Sequence, residues 1–393
     1  MSRSLFSYKN NSLCFDETSL SDLSVVENYQ DPVLIYKKSL IEERIQWVKS
    51  WSSLKQLHFA MKSNFSPTVL QIFLKNKCGL DVVSLGEIQA GLKQGFSPKD
   101  IIFSGVGKTS RELEWSIDHD IYQINIESIS ELKKIIQIAE KKNKTVHVGL
   151  RVNPLIDAGT HPYISTALKD SKFGIQLEDL KECLQLFKTT KKVQFKCLSF
   201  HIGSQILETN VFKQSIEKMK TLFLELKSEF SELDRFDVGG GLGIDYTSHA
   251  SGEDLERWLS LKKIYESELN DFKADILCEL GRFVVARSGV FISQVQYIKN
   301  KNCLVLDLGM NNNMRPSLYQ AHHAFYNLNN HTQNKNNYKI VGPVCESSDI
   351  FHQNYELTTI QENDLLVMAD CGAYVRSMAS DYNLRPIAEE IFI

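Results

Sequence analysis

The sequence predicts an α/β protein built from a (β/α)8 barrel and a C-terminal all-β domain. The chain has 393 residues, which is more than one ordinary hydrophobic core accommodates. Between residues 33 and 282, eight short apolar runs alternate with amphipathic stretches, and eight β-then-α units over this length are typical of such a barrel. After Arg282 the apolar runs show little helical periodicity between them, which indicates a second, β-rich domain.

The predicted barrel strands are the eight apolar runs themselves, at 57–60, 79–83, 101–104, 121–124, 146–152, 197–201, 235–238 and 276–279. The stretches between them carry apolar residues at helical spacing, as in the segment 129–140, and are predicted to be helices. A further run at 33–36 is predicted to be a strand that enters the barrel region.

The predicted strands of the second domain lie at 284–286, 289–298, 302–306, 338–341 and 365–369. The N-terminal 31 residues are expected to join this domain. The predicted division is therefore a barrel over 32–283 and a β-rich domain made of 1–31 and 284–393.

Composition excludes several classes of protein. Apolar residues make up 42% of the chain and charged residues 24%, and the formal net charge is −3, so neither nucleic acid nor an anionic membrane is indicated as a partner. No apolar stretch has the length of a signal-peptide core or a membrane span. The eight cysteines are scattered without a C-x-x-C pair, which argues against a zinc site or a disulfide framework and fits the cytoplasm; no metal is predicted.

Two side chains stand at the carboxyl ends of predicted barrel strands, where such barrels build their active sites. Lys62 can form an imine with an aldehyde if its amine is deprotonated, and the ring of His201 can stack on a flat cofactor. Ser204, shortly after this histidine, can reach a phosphate. Taken singly, a surface lysine and a structural histidine are the simpler interpretations.

A glycine run and a carboxylate complete the barrel motifs. The run 239–243, Gly-Gly-Gly-Leu-Gly, lets backbone amides approach an anion closely, and its late position disfavours a dinucleotide site. Glu279 ends the eighth strand and needs a partner, which could be a protonated pyridine nitrogen or simply Arg282. An amine, a stacking ring, a phosphate loop and this carboxylate are what pyridoxal 5′-phosphate (PLP) requires, so PLP is the predicted cofactor.

The second domain carries another set of polar residues. Arg315 can bind a carboxylate bidentately, Glu346 can bind an ammonium group, and Tyr374 follows a Gly-Ala turn and can donate to a phosphate. Cys345 lies among polar neighbours and is the best candidate among the cysteines for proton transfer. Each could also be a loop residue without a functional role.

These motifs resemble those of the fold-type III PLP-dependent decarboxylases, and the likeness runs from residues 33–36 to 382–386. The segments 151–154, 157–166 and 172–174 look more like the members that act on diaminopimelate than those that act on ornithine or arginine. The resemblance implies an alanine racemase-like architecture with a PLP-binding barrel and a homodimer with shared active sites. It also implies decarboxylation of meso-2,6-diaminopimelate to L-lysine and CO2, the last step of lysine biosynthesis.

The resemblance also implies residue roles. Lys62 would hold PLP, His201 would stack on its ring, Glu279 would pair with its nitrogen, and Cys345 would return a proton to the substrate carbon. The implied catalytic residues are Lys62, His201 and Cys345. The implied cofactor-binding residues are Lys62, His201, Ser204, Gly240, Gly241, Glu279, Gly281, Arg282 and Tyr374. The implied substrate-binding residues are Arg282, Arg315, Tyr319, Glu346 and Tyr374.

Several positions depart from the family pattern, among them Leu280, Ser348, Arg376 and the stretch 312–314. Arg376 motivates an alternative, a related decarboxylase for another amino acid or a conjugated one in a natural-product pathway. A PLP-binding protein without catalysis is disfavoured because such proteins lack the β-rich domain. An alanine racemase is disfavoured because Cys345 and Glu346 would have no use there.

Overall fold

The computed structural model describes residues 4–156, 171–328 and 334–393. The chain forms two compact units. We call them the barrel unit, made of Arg44–Gly243 and Arg257–Phe283, and the β unit, made of Met1–Glu43, Ile244–Glu256 and Val284–Ile393. The predicted segments 1–31 and 284–393 both lie in the β unit.

The strands, in chain order, are β1 (Phe6–Lys9), β2 (Ser12–Phe15), β3 (Thr18–Ser19), β4 (Val33–Tyr36), β5 (Leu54–Ala60), β6 (Gly79–Val82), β7 (Ile101–Phe103), β8 (Gln123–Ile126), β9 (Val146–Arg151), β10 (Val193–Ser199), β11 (Arg235–Asp237), β12 (Asp275–Cys278), β13 (Gly289–Lys299), β14 (Cys303–Leu306), β15 (Phe325–Asn327), β16 (Lys335–Val341), β17 (Ile350–Thr358), β18 (Leu365–Met368) and β19 (Glu389–Phe392).

The helices are α1 (Ser24–Glu27), α2 (Lys38–Lys49), α3 (Pro67–Lys75), α4 (Leu85–Lys93), α5 (Ser110–Asp118), α6 (Ile129–Lys142), α7 (Leu180–Thr189), α8 (Asn210–Glu229), α9 (Ser251–Leu269), α10 (Arg282–Val285) and α11 (Arg315–Tyr319).

Strands β5 to β12 close into an eight-stranded parallel barrel in which β12 pairs with β5. Each predicted barrel run overlaps one of these strands, so the barrel prediction is confirmed. The largest shift is at β10, which begins at Val193 rather than at residue 197.

The barrel helices begin where the sequence supplies capping side chains. Thr109 and Glu112 form a capping box at the start of α5, and Ser128 accepts a hydrogen bond from the backbone of Glu131 at the start of α6. Helix α6 buries Leu132, Ile135, Ile136, Ile138 and Ala139, which is the apolar stripe expected from the spacing in the sequence.

The β unit is built on a sheet whose main strand order is β15-β18-β13-β14-β16-β17, and β4 pairs with β13 and β19. Alternate residues of its central strands enter two apolar clusters on opposite faces. On β13, Phe291 and Val295 enter one cluster, while Val290 and Ile292 enter the other. Because both faces are covered here, β13 has three consecutive apolar residues at 290–292 instead of an alternation of apolar and polar residues.

Two strand predictions are wrong in detail. Residues 284–286 form the end of α10 and a 3₁₀ turn at Ala286–Ser288, with Phe283 to Ala286 completely buried. A short buried apolar run has no periodicity that separates helix from strand. The strand at 33–36 exists, but its pairing partners are β13 and β19 of the β unit rather than barrel strands.

Candidate active site

Lys62 follows β5 directly, in a 3₁₀ turn at Met61–Ser63, and its side chain is 43% exposed. Its Nζ lies 3.3 Å from Oδ2 of Asp81, which is on the neighbouring strand β6 and is almost completely buried. The second oxygen of this aspartate, Oδ1, is buried without a hydrogen-bond partner among the described residues. The turn therefore presents an amine beside a buried carboxylate at the carboxyl end of the barrel strands.

Glu279 lies at the end of β12 beside a second acidic side chain, Asp237, at the end of β11. Loss of hydration, then the negative charges of Asp237 and Asp81, hold the pKa of the Glu279 carboxyl well above its usual range. Burial likewise raises the pKa of Asp237 to about 6, and Oδ2 of this aspartate is buried without a hydrogen-bond partner among the described residues. Such a pair retains a proton at neutral pH.

Glu279 also contacts the neutral amide side chain of Asn125. Asn125 on β8 directs its Nδ2 at Oε1 of Glu279 at 3.4 Å and donates to Ser104 Oγ at 3.1 Å. Arg282 donates from NH2 to Oγ of Ser204 at 3.2 Å.

His201 follows β10, and its Nδ1 accepts a hydrogen bond from the backbone N–H of Gly240 at 3.2 Å. Accepting this bond requires Nδ1 to be unprotonated. Burial, with the positive charges of Arg151 and Lys62, holds the pKa of the imidazole well below its usual range, so the ring is neutral. A neutral ring fixed through one nitrogen is a suitable platform for a flat cofactor.

The glycine run has no room for side chains. A Cβ on Gly239 would lie 2.2 Å from the carbonyl oxygen of Phe200, and one on Gly240 would lie 2.1 Å from that of Glu279. Gly241 has a φ of +108°, and its carbonyl accepts from the N–H of Ile206 at 3.0 Å. The loops after β10 and β11 are thus joined by hydrogen bonds. The backbone of the glycine run and the Ser204 hydroxyl form the surface that is expected to bind a phosphate.

Gly281 has a different reason to be glycine. A Cβ there would lie 2.9 Å from Ser63 Oγ and 3.1 Å from the Ala60 Cβ. The chain after β12 therefore packs directly against the turn that carries Lys62, and this contact holds the turn in place.

Arg151, at the end of β9, adds a positive charge near His201 and Glu279, since it shifts the pKa values of both. Its NH1 donates to Oε1 of Glu127 at 2.7 Å, and the other oxygen of this glutamate accepts from the N–H of Gly174 at 2.8 Å. The segment 172–174 is in this way tied to the end of the barrel. The predicted segment 157–166 lies outside the described residues.

The β unit contains the remaining predicted residues. Arg315 begins α11, is only 2% exposed, and donates from Nε to the hydroxyl of Tyr319 at 3.0 Å. Among the described residues of the β unit, no carboxylate pairs with this guanidinium, although a buried charge ordinarily requires a counter-ion.

Cys345 and Glu346 lie on an exposed turn of the β unit. The backbone N–H of Cys345 donates to Oδ1 of Asn383 at 2.9 Å, and the hydroxyl of Tyr382 forms a short hydrogen bond to Glu346. These two contacts hold the turn against the segment at 382–384.

Tyr374 is half-buried and has a φ of +62°, which is a strained conformation for a tyrosine. It follows Gly372, where a Cβ would lie 1.8 Å from the carbonyl oxygen of Val285. Arg376, two residues further, pairs with Glu390 at 3.4 Å. The residue that motivated a different substrate thus has a partner within the fold.

Sequence reasoning missed Asp81, Asp237 and Arg151 as site residues. Asp81 is the one charge in the apolar run 79–83, and Asp237 directly precedes Val238 and the glycine run; both are carboxylates at or near the carboxyl end of a predicted strand. That same signal, which identified Glu279, could have identified them.

The region from residue 37 to residue 286 matches the pyridoxal-binding domain of the pyridoxal-dependent decarboxylases. The chain belongs to this family. The decarboxylase is 33% identical to diaminopimelate decarboxylase of Aquifex aeolicus over 98% of this chain and 91% of the relative, and 38% identical to that of a Helicobacter pylori strain, over 92% and 89%. The crystal structure of the Helicobacter pylori diaminopimelate decarboxylase complexed with L-lysine superposes with a TM-score of 0.87 at 34% identity, covering 94% of this chain and 93% of that one.

The decarboxylase uses PLP, as its family does, and the barrel unit fits that cofactor. The Gly239–Gly241 backbone leaves space that any Cβ would fill, and burial beside Asp237 and Asp81 raises the pKa of the Glu279 carboxyl, so that it can give a proton to a basic nitrogen. A cofactor with a phosphate and a protonatable ring nitrogen suits these two features. In the part of the chain that the structure describes, no helix is long and apolar enough to cross a membrane.

Proposed function

We propose that this decarboxylase removes one carboxylate of meso-2,6-diaminopimelate as CO2 and releases L-lysine. The observation that carries the proposal is the buried, carboxylate-free environment of Arg315 in the described β unit. Diaminopimelate has an amino group and a carboxylate at both ends, so one end can react while the other supplies the counter-ion for this arginine. Ornithine and arginine lack a second carboxylate and would leave the buried charge unpaired.

PLP, when bound, supplies an aldehyde for the Lys62 amine and a ring that withdraws electrons from the substrate. We assign the Schiff-base role to Lys62 because it is the amine beside the buried carboxylates of the barrel. His201 would lie against the ring, since Gly240 holds it in a single orientation.

The phosphate would bind at the Gly240–Gly241 backbone, Ser204 and Arg282, which the hydrogen bonds of the two loops bring together. Tyr374 would add a hydroxyl donor. Gly281 would serve the cofactor indirectly by allowing close packing against the Lys62 turn.

Glu279 would form an ion pair with the protonated ring nitrogen. Its raised pKa means that the carboxyl group holds a proton when no cation is near, and that a basic nitrogen can take that proton and leave a carboxylate beside it. Asp237 would support this arrangement because its negative charge helps to raise the pKa of Glu279, while its Oδ1 accepts from the N–H of Gly239 at 2.9 Å.

In the reaction, the bond between the substrate α-carbon and its carboxylate breaks, CO2 leaves, and the carbon takes up one proton. We assign delivery of the proton to Cys345. Arg315, Arg282 and Tyr319 would bind the carboxylate that is retained, and Glu346 the ammonium group at the same end.

We further propose that the enzyme is a homodimer in which Cys345 and Glu346 serve the active site of the partner. Both side chains are exposed, and the adjoining segment exposes Tyr382 by 44% and Leu384 by 91%. Leu384 also has a φ of +55°, so the fold holds an apolar side chain outward at a conformational cost. A second copy would cover this surface and exclude water from the proton donor. All eight cysteines are free thiols, which supports a cytoplasmic location.

The test is to incubate the PLP-loaded protein with meso-diaminopimelate, ornithine, arginine and L-lysine in parallel, and to measure CO2 and amine products. Release of CO2 and L-lysine from diaminopimelate alone is expected. Turnover of another amino acid in place of diaminopimelate would overturn the assignment. Arg376 gives the alternative substrate no support, because it pairs with Glu390.

A further inference from the structure

The guanidinium of Arg315 is held entirely by neutral side chains in the described β unit. Besides the bond from Nε to Tyr319, its NH1 donates to Nε2 of His323 at 2.8 Å. Its central carbon lies 4.7 Å from the ring centre of Tyr246 and 5.7 Å from that of Tyr319. The third nitrogen, NH2, makes no hydrogen bond to any described residue of the β unit.

The tautomer of His323 follows from its partners. Nδ1 lies 2.7 Å from the carbonyl oxygen of Ala369, which can only accept, so Nδ1 carries the proton and donates. Nε2 then has a free lone pair and accepts from Arg315. The imidazole is 1% exposed, and burial, with the charge of Arg315, lowers its pKa to about 3, so it stays neutral.

The backbone fixes the position of this imidazole. His323 precedes β15 and Ala369 follows β18, and these two strands pair antiparallel with Phe325 opposite Met368. Ala369 N–H donates to the carbonyl of Ala324 at 2.9 Å, and Nε2 of His352 lies 2.7 Å from the carbonyl of His323. The register of two strands therefore sets the point at which Nε2 meets the guanidinium.

We propose that His323 is a positioning residue that fixes the rotation of the Arg315 guanidinium and leaves NH2 free for the retained carboxylate of the substrate. A neutral acceptor suits this role, since a carboxylate at the same place would neutralise the arginine and compete with the substrate. The inference rests on the proposed role of Arg315 and extends it to a residue that does not itself touch the substrate.

The first test replaces His323 with leucine and measures KM and kcat for diaminopimelate together with PLP content. Loss of a hydrogen bond to a charged group is worth about 1.5–3 kcal/mol, so KM should rise about 10- to 100-fold, with kcat changed less and PLP content unchanged. His322→Leu is the matched control: this neighbouring ring contacts His352 and the Tyr246 carbonyl but not Arg315, and KM should change by less than about twofold.

The second test uses two competitive inhibitors that differ by one carboxylate, L-lysine and cadaverine (1,5-diaminopentane). In His323→Leu the inhibition constant of L-lysine should rise with KM, while that of cadaverine should stay the same. An equal weakening of both inhibitors would mean general damage to the β unit and would overturn the positioning role.

The two proposals fail in different ways. If the unmodified enzyme binds L-lysine no better than cadaverine, the role of Arg315 is wrong. If the unmodified enzyme prefers L-lysine and His323→Leu keeps that preference in full, the role of Arg315 stands and that of His323 is refuted.

Discussion

The two units differ in which buried ionisable groups they hold and in how those groups are surrounded. The barrel unit gathers the carboxylates Asp81, Asp237 and Glu279 at its strand ends. Burial raises the pKa values of Asp237 and Glu279, and the charge of Asp81 adds to both shifts. The β unit buries Arg315 among neutral rings. The barrel unit thus concentrates carboxyl groups whose ionisation is suppressed by burial, which suits a cationic ring. The β unit holds a positive charge with no carboxylate partner among its described residues, which suits an anionic substrate group.

A contrasting cluster in the β unit shows what a balanced buried charge looks like. Arg287 is completely buried and donates to Asp254 at 2.8 Å and to Asp370 at 2.9 Å. Although burial alone would raise it, the charge of Arg287 lowers the pKa of Asp370 to about 2. This cluster is satisfied within the fold, so we expect it to govern stability, whereas the unbalanced clusters govern function.

The largest expected effect is that of Lys62→Ala. Removing the only amine beside the barrel carboxylates should reduce kcat by at least about 10³-fold, because no other described group of the cluster can bond to the cofactor aldehyde. Activity and the visible absorbance of bound PLP after gel filtration check this. Lys55→Ala, on the preceding strand β5 and more exposed, is the control. Near-normal turnover in Lys62→Ala would contradict the assignment.

Next in size is Asp370→Asn, which should destabilise the protein by about 3–5 kcal/mol at pH 7 by leaving Arg287 partly uncompensated in the interior. Glu356→Gln, which breaks an exposed pair with Lys335, should cost less than about 1 kcal/mol. Because the pKa of Asp370 is lowered in the folded state, this carboxylate stabilises the fold at pH values above its ordinary pKa. That stabilisation is lost as the pH falls towards about 2. The urea concentration at the midpoint of unfolding measures the loss of stability in both variants. Equal losses would show that the buried pair contributes no more to stability than the exposed pair does.

Arg315→Ala should raise KM for diaminopimelate about 10- to 100-fold while PLP content is unchanged. Arg376→Ala should leave KM nearly unchanged, since Arg376 pairs with Glu390. Steady-state kinetics of the two variants compare an unbalanced with a balanced arginine. A larger effect at Arg376 would favour the alternative substrate.

The smallest expected effect concerns Glu279→Gln in the cofactor-free protein. The pKa of Glu279 is higher in the folded protein than in the unfolded chain. At pH values between the ordinary pKa and the raised one, the folded state therefore binds more protons than the unfolded state, and the free energy of unfolding falls as the pH rises. The variant lacks this penalty and should be more stable than the parent by about 1 kcal/mol at pH 8, but not below about pH 4. Thermal melts at both pH values check it; a less stable variant at pH 8 would show that the carboxyl is ionised and paired. The same change should lower turnover in the PLP-loaded enzyme.

Sequence periodicity predicted the barrel well because each barrel strand is a short apolar run, and the segments between these runs carry apolar residues at helical spacing. It failed at 284–286, where a buried helical turn and a strand have the same composition. It also missed β17 and β19, whose residues are largely polar or partly exposed.

By itself, the sequence determined which chemical groups are available: the lysine, the glycine run, the acid at a strand end and the tail arginine each have a composition signal that depends only on near neighbours. The tertiary structure alone decided which charges are balanced. Glu279 lies beside Asp237, Arg376 pairs with Glu390, and His323 turns one nitrogen to Ala369 and the other to Arg315. Such pairings join residues distant in the chain through strand register and burial, and these are properties of the folded molecule rather than of any segment.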